Sequence, residues 1–351
     1  MSGELATPAQ TIRFGSGIRY ELAAEVRQLD RHHALVLSTP EQSEIALDVA
    51  KRLGVMASGV YSGATMHTPV DITEDALKYA ESVGVDCLVS VGGGSTTGLG
   101  KALSIRMGLP HISIPTTYAG SEATPILGET ADGVKSTFSD PTVLPSVVLY
   151  DPDLLVSLPQ HMTVTSGLNA MAHAVEALYA KNRTVETTRL AIEGLEAFRQ
   201  ALPDVVKDPK DIKAREMTLR GAWACGSVLG RVGMALHHKL CHTLGGSFDL
   251  PHAATHAIML PHATAFNEVS VPDLLAPVAT MFDAEKSGQA LWRFASDLGA
   301  PLALKDLGLK ESDLDQAANL ATTNPYWNPR QIDHNGIRSL LQDAWNGTAP
   351  M

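Results

Sequence analysis

Histidine is unevenly distributed along this chain of 351 residues. Six of its thirteen histidines lie between His237 and His262, where an even spread of thirteen over 351 would place about one. Imidazole is the side chain best suited to metal ligation and to proton transfer near neutral pH. This segment is therefore predicted to contain the reaction centre.

The spacing of these histidines favours convergence. His238 and His242 are four residues apart and share a face of one predicted helix, and Asn169 and His173 share a face of another. If the two helices face each other, four polar side chains meet. His252 is predicted to stand at the mouth of a following helix. A structural role for any single histidine stays open, but the set predicts a functional cluster.

A glycine-rich turn in the first third of the chain predicts a phosphate site. Gly92, Gly93, Gly94 and Ser95 follow a buried strand, and a helix is predicted from about Thr96. Glycines let backbone N–H groups approach a pyrophosphate, and the helix N-terminus adds partial positive charge. The spacing matches neither the G-x-G-x-x-G pattern nor a P-loop, so a turn without a ligand remains an alternative.

A second polar turn follows the next predicted strand. It contains Thr116, Thr117 and Ser121, and it would lie on the same carboxyl edge of the sheet as the glycine turn. Two such loops on one edge favour a dinucleotide. Thr39 follows an earlier strand, and residues 38–40 include no acid, so NADH and NADPH are both expected to bind. Lys135 completes the predicted cofactor-binding set.

The elements that must position these residues differ between the two halves of the chain. Over about the first 150 residues, short apolar runs such as 34–37 and 111–115 alternate with helical patterns, as in a parallel sheet covered on both faces. From about Pro159, long alanine- and leucine-rich helical segments follow without a convincing strand. The sequence therefore predicts an α/β dinucleotide-binding domain with a doubly wound parallel sheet over 1–156, and an all-α catalytic domain over 157–351.

Composition narrows the class of partner. A net charge of −11 with no basic block argues against nucleic acid and against an anionic membrane. The chain has no apolar run long enough to span a bilayer and its first residues lack a secretory pattern, which predicts a cytoplasmic protein. Its three cysteines lack C-x-x-C spacing and are predicted to be reduced core thiols.

Over residues 92–262 the chain resembles the iron-containing (group III) alcohol dehydrogenase superfamily. The matching residues are Gly92–Ser95, Thr116 and Thr117, Gly120–Glu122, Asp151–Pro152, Asn169 and His173, His238, His242 and Gly245, and His252, His256 and His262. The resemblance implies an N-terminal dinucleotide-binding domain, a helical C-terminal domain and an active site in the cleft. It also implies a homodimer.

The family's residue roles carry over with two departures. The resemblance implies a divalent metal held by an Asp and three His, at positions that fall on Asn169, His173, His238 and His252. Asn169 replaces the aspartate, and Gly98 replaces a second aspartate in the glycine loop. A neutral amide leaves the metal charge uncompensated and is a weaker ligand, so no metal is expected. Three histidines alone can bind zinc, which keeps metal as an alternative.

These departures resemble the branch of the family that reduces the carbon–carbon double bond of maleylacetate, a small dicarboxylate, to 3-oxoadipate in aromatic-compound degradation. Hydride addition to an alkene conjugated with a ketone gives an enolate, which hydrogen-bond donors stabilise. His173, His238 and His252 would supply such donors, and His242, which matches a histidine near the nicotinamide, would deliver the proton. Tyr326 is the competing donor.

The partners of the two substrate carboxylates are left open by the sequence. The candidates are Lys239, Arg330 and the hydroxyls of Thr117, Tyr118 and Tyr326.

Three rival functions remain. A metal-dependent alcohol or glycerol dehydrogenase shares the fold. A dehydroquinate-synthase-like lyase would need a metal and a lysine-rich phosphate pocket, which the segment from His238 to His252 does not display. A catalytically inactive binding protein would have little reason to retain both cofactor loops and the polar cluster.

Overall fold

The computed structural model describes residues 10–131, 134–324 and 326–351. The chain divides into two compact units, an N-terminal unit over Met1–Ser157 and a C-terminal unit over Leu158–Met351. All strands of the described residues belong to the N-terminal unit. They are β1 (Thr11–Phe14), β2 (Ala34–Leu37), β3 (Ala57–Tyr61), β4 (Cys87–Gly92), β5 (His111–Pro115), β6 (Ile126–Ala131), β7 (Val134–Ser139) and β8 (Val147–Tyr150). The helices of this unit are α1 (Leu22–Gln28), α2 (Ser43–Leu53), α3 (Val70–Ser82) and α4 (Gly94–Met107).

Six of these strands form one parallel sheet in the order β1-β8-β5-β4-β2-β3. Side chains alternate between two cores, with Val36 and Val89 packed on one face and Leu35, Leu37 and Leu88 on the other. From β2 the chain continues to β3 at one edge of the sheet. From β4 it continues through β5 to β8, toward the opposite edge. The carboxyl ends of β2 and β4 therefore meet at a topological switch point, where doubly wound sheets bind ligands.

The C-terminal unit is helical throughout its described residues. Its helices are α5 (Gln160–Tyr179), α6 (Val185–Lys207), α7 (Ile212–Leu229), α8 (Leu236–Phe248), α9 (His252–Glu268), α10 (Pro272–Met281), α11 (Ser287–Asp297), α12 (Leu314–Thr322) and α13 (His334–Asn346). Helices α5 and α9 are buried along most of their length, as helices that are apolar on several sides must be. Both α5 and α8 pack against α9, and these three helices carry the clustered histidines.

The predicted fold class is confirmed, and the differences lie in individual elements. Strands β1 and β3 and the antiparallel β6–β7 hairpin were not predicted, because their half-exposed residues do not form continuous apolar runs. Helix α4 begins at Gly94 instead of near Thr96, since weak helix formers are tolerated in a first turn. Helix α5 begins at Gln160, directly after Pro159, where the helical segments were predicted to start.

Two further predictions concern the environment of the chain. All three cysteines are free and buried, as predicted. Within the described ranges, no helix is both long and apolar enough to cross a membrane. The cytoplasmic location and the homodimer stay predictions.

Candidate active site

The glycine turn joins the end of β4 to the start of α4. The first N–H groups of α4 have no partner within the helix, and they carry the positive end of its dipole. A side chain on Gly93 would place its Cβ 3.0 Å from the side chain of Thr117, so glycine is what lets the two polar turns approach each other. The Thr116 N–H donates to the Gly92 carbonyl oxygen at 3.0 Å and joins them further.

The residues present at this edge fit a dinucleotide. Thr39 and Ser95 are both half-buried there, and the buried Oγ1 of Thr96 has no hydrogen-bond partner within the described ranges. Gln42 donates from Nε2 to Oγ1 of Thr116 at 2.7 Å, which ties the loop after β2 to the loop after β5. Gln42 was not predicted from the sequence. Its position two residues after Pro40, in the loop that follows β2, could have indicated that it lies at this edge of the sheet.

An acidic side chain lies closer to Thr39 than the sequence suggested. The Glu41 carboxylate accepts a hydrogen bond from the Thr39 side chain, and this bond lowers the pKa of Glu41. The absence of an acid from 38–40 therefore does not mean that the site is free of negative charge. Glu41 places a negative charge beside Thr39.

A buried lysine holds the loop that contains Ser121. Lys101 of α4 is fully buried, and its Nζ donates to the carbonyl oxygens of Ser121 at 2.6 Å, Thr124 at 2.8 Å and Ile126 at 2.8 Å. Burial lowers the pKa of Lys101 to about 7, and the charge of Glu122 opposes that shift. Lys135 lies in β7, but its side chain is outside the described residues.

The C-terminal unit brings the predicted histidines together around His256, which was not assigned a role from the sequence. The ring of His256 is fully buried, and its centroid lies 4.3 Å from that of His252, 5.1 Å from His238 and 6.4 Å from His173. His173 and His238 are buried, with ring centroids 5.2 Å apart. His242 and His252 are exposed, so the cluster extends from the interior to solvent.

A buried carboxylate missed from the sequence supports His238. Oε2 of Glu176 lies 2.5 Å from Nδ1 of His238, and the carboxylate also accepts the backbone N–H groups of Ala235 at 3.2 Å and His237 at 2.8 Å. Burial raises the pKa of Glu176, with these donors opposing the shift, and burial lowers the pKa of His238. A hydrogen bond therefore joins Nδ1 of His238 to Oε2 of Glu176, which leaves Nε2 of His238 for other contacts.

A second pair of imidazoles lies beside the first. Nε2 of His237 is 2.9 Å from Nδ1 of His256, and Sγ of Cys241 is 3.6 Å from the same His237 nitrogen. Burial lowers the pKa of His237 to about 3, so this pair is neutral at pH 7. Because Nδ1 of His256 is engaged, only its Nε2 is available, and this atom has no partner.

Several buried polar atoms around these histidines lack hydrogen-bond partners among the residues that the structure describes. They include Oδ1 of Asn169, Nδ1 of His173 and the hydroxyl of Tyr326. Buried polar groups are seldom left unsatisfied, so such atoms indicate a site that a ligand or water completes. Burial raises the pKa of Tyr326, and the charge of Glu176 adds to that shift. Tyr326 is therefore close enough to Glu176 to belong to the same electrostatic environment.

The fold, the polar turns at the sheet edge and the histidine cluster together define a class of protein. A model of the family described as iron-containing alcohol dehydrogenase matches residues 9–152, and the model of its C-terminal part matches residues 163–345. The chain belongs to the iron-containing alcohol dehydrogenase family.

Individual relatives are more specific. The chain is 55% identical to a maleylacetate reductase of Rhizobium sp. (strain MTP-10005), over 98% of this chain and 97% of the relative. It is 48% identical to a maleylacetate reductase of Burkholderia cepacia, over 96% of each chain. It also superposes on the crystal structure of maleylacetate reductase from Agrobacterium tumefaciens with a TM-score of 0.95, at 55% identity and over 99% of this chain and 98% of that one.

The metal that the family name implies does not fit the residues found here. Asn169 offers a neutral amide where the family pattern has a carboxylate. Among the described residues, one group of three His, Cys, Asp or Glu side chains has potential ligand atoms within 4.8 Å of one another, and it is His237, Cys241 and His256. His173, His238 and His252 do not form such a group.

Proposed function

We propose that this protein is an NAD(P)H-dependent reductase that converts maleylacetate to 3-oxoadipate. The observation that carries the proposal is the buried cluster itself, in which a neutral amide, Asn169, stands where the family pattern has an anionic metal ligand, and in which the Glu176 carboxylate is bonded to His238. The substrate alkene is already activated by its conjugated ketone, so its reduction does not require a metal to polarise an alcohol or aldehyde. The names of the relatives support the same substrate.

The N-terminal unit supplies the elements for the cofactor. Gly92–Gly94, Ser95 and the start of α4 would hold the pyrophosphate, with Thr116, Thr117 and Ser121 on the neighbouring loop and Thr39 near the adenosine ribose. When bound, the reduced nicotinamide supplies a hydride to the alkene carbon, and the ketone takes up the electron pair as an enolate. Lys101 keeps the Ser121 loop in place for this binding.

The C-terminal unit supplies groups for the enolate and its proton. Glu176 fixes the ring of His238, so that Nε2 of His238 faces the cluster, and His173, His252 and Asn169 provide further polar contacts for the developing charge. His242 is exposed and its ring centroid is 6.0 Å from that of His238. It can therefore take a proton from solvent and transfer it to the enolate carbon, which restores the ketone.

We also propose that the reaction proceeds without a metal, and elemental analysis with a chelator tests this. After dialysis against EDTA the enzyme is expected to contain less than about one tenth of an equivalent of metal and to keep its activity. Asn169→Asp is expected to increase bound zinc because it restores the anionic ligand. Activity that is lost with EDTA and restored by zinc would contradict the proposal. Retention of zinc by the wild type, but not by Cys241→Ser, would locate a metal at His237, Cys241 and His256.

Oxidation of NADH with maleylacetate tests the function directly. The expected result is turnover with maleylacetate and none above background with simple aldehydes. A metal-dependent alcohol dehydrogenase would give the reverse preference. A dehydroquinate-synthase-like lyase would give no net change in NADH, because its cofactor is regenerated within each turnover.

A further inference from the structure

The substrate proposed above is a dicarboxylate, and a dicarboxylate needs a cationic partner. The identity of that partner therefore rests on the proposed function. The substrate carries two negative charges, the chain carries a net charge of −11, and the histidine cluster contains the acidic side chain of Glu176. Local basic groups must therefore offset an unfavourable field. Lysine and arginine are the side chains that bind carboxylates through charge-assisted hydrogen bonds.

Lys239 is placed for that role. It follows His238 directly on α8 and is half-buried, and its Nζ lies 5.7 Å from the centroid of the Tyr326 ring. No salt bridge connects Lys239 to an acidic group among the described residues, whereas Arg338 and Arg231 of the same unit each pair with a carboxylate. A half-buried cation that lies over a ring face and has no salt bridge within the described residues has N–H donors available for an anion.

Tyr326 adds a second donor that has no partner in the described part of the chain. Its hydroxyl is buried and has no partner among the described residues, and its side chain lines a cavity of about 300 Å³ together with Thr322, Asn328 and Arg330. A buried phenol hydroxyl that lacks an acceptor gains one hydrogen bond when a ligand supplies that acceptor.

The position of Tyr326 relative to α8 is set by Asn328. The Asn328 side chain exchanges two hydrogen bonds with Asn267 of α9, at 2.7 and 3.0 Å, and its Oδ1 also accepts the N–H of Leu236, the first residue of α8, at 3.4 Å. These bonds join the segment after α12 to α8 and α9, two of the three histidine-bearing helices. The geometry is therefore held before any ligand binds, which lowers the entropic cost of binding.

We propose that the ammonium of Lys239 and the hydroxyl of Tyr326 together bind one carboxylate of the substrate. Arg330 is the other cation nearby, but its guanidinium stacks on the Phe266 ring at 4.0 Å from the centroid and donates to the Phe266 carbonyl oxygen at 3.0 Å. Arg330 thus holds its own segment against α9, and Lys239 is the cation that recognises the anion.

The test compares variants of matched charge. Lys239→Gln is expected to weaken binding of 3-oxoadipate, measured by calorimetry on the NAD⁺-bound enzyme, by about tenfold to a hundredfold, the range for a charge-assisted hydrogen bond. The KM for maleylacetate should rise by a similar factor. Lys213→Gln makes the same charge change at an exposed site on α7 and should leave both quantities within about twofold of wild type. Lys239→Arg should recover part of the affinity.

The hydroxyl and the competing cation are tested in the same way. Tyr326→Phe is expected to weaken 3-oxoadipate binding by about threefold to tenfold, and less than that when Lys239 is already Gln, because both donors act on one carboxylate. An unchanged dissociation constant in Lys239→Gln, or a tenfold loss in Arg330→Gln alone, would overturn the proposal. Failure of the proposed function is a separate result, because the wild type would then not oxidise NADH with maleylacetate at all.

Discussion

Replacement of Glu176 by Gln tests whether a buried carboxylate controls the chemistry of this cluster. Glu176 accepts the N–H groups of Ala235 and His237 and is bonded to Nδ1 of His238. Gln fills the same space but has one acceptor and one donor group. If its NH₂ faces His238, Nδ1 must become an acceptor and Nε2 must carry the proton. If its oxygen faces His238, the NH₂ meets the N–H of His237.

The structure sets the size of two separate effects. One buried N–H loses its acceptor in either orientation of Gln, so the free energy of unfolding should fall by about 1–3 kcal/mol. The wrong tautomer of His238, or the loss of charge support for its protonated form, should lower kcat by about 100-fold or more, in the range of general acid–base contributions. The dissociation constant of NADH should stay unchanged, because the predicted cofactor residues belong to the N-terminal unit.

Glu268 provides the matched control for Glu176. It is also a buried carboxylate of the C-terminal unit, and it accepts the N–H of Ser287 at 2.8 Å and of Gly288 at 3.5 Å. Glu268→Gln should lose stability by a similar amount in urea unfolding but keep most of its kcat for NADH oxidation with maleylacetate. If Glu176→Gln keeps more than about a third of wild-type kcat, or if both variants lose activity equally, the positioning role of Glu176 is refuted.

Local patterns predicted those parts of the site that depend on spacing along one element. The glycine turn was found because a buried strand, three glycines and a helix start are adjacent in sequence. The pairing of His238 with His242 follows from helical periodicity. The same periodicity pointed to two residues that were not given roles: Glu176 is three residues after His173, and His256 is four residues after His252.

Other features depend on contacts that no local pattern encodes. The carbonyl partners of Lys101 lie 20 to 25 residues later, in the turn that begins at Ser121 and at the start of β6, so its burial could not be read from a local sequence pattern. The bonds of Asn328 to Asn267 and Leu236 join segments 61 and 92 residues apart. The roles proposed for Lys239 and Tyr326 depend on this long-range arrangement, which explains why the carboxylate partners remained open at the level of sequence.

Three further predictions concern the proton, the cofactor and the response to acid. His242→Asn should lower kcat by about 100- to 10,000-fold and leave the NADH dissociation constant unchanged, and a variant with more than a tenth of wild-type kcat would assign the proton to another donor. NADH and NADPH should both support turnover. Glu41→Gln should raise kcat/KM with NADPH relative to kcat/KM with NADH, because it removes the charge bonded to Thr39. An unchanged ratio would place cofactor selection elsewhere. Stability should fall as the pH falls below about 6.5, since burial lowers the pKa of His111 to about 3 in the folded state, while its Nε2 lies 2.7 Å from Oγ of Ser90. The unfolded chain then binds a proton that the folded chain does not, so His111 alone should reduce the free energy of unfolding by about 2 kcal/mol between pH 7 and pH 5. Urea unfolding at the two pH values checks this. His111→Asn should lose that share of the pH dependence. If the difference in the free energy of unfolding between the two pH values is unchanged in His111→Asn, the acid sensitivity belongs to the other buried histidines.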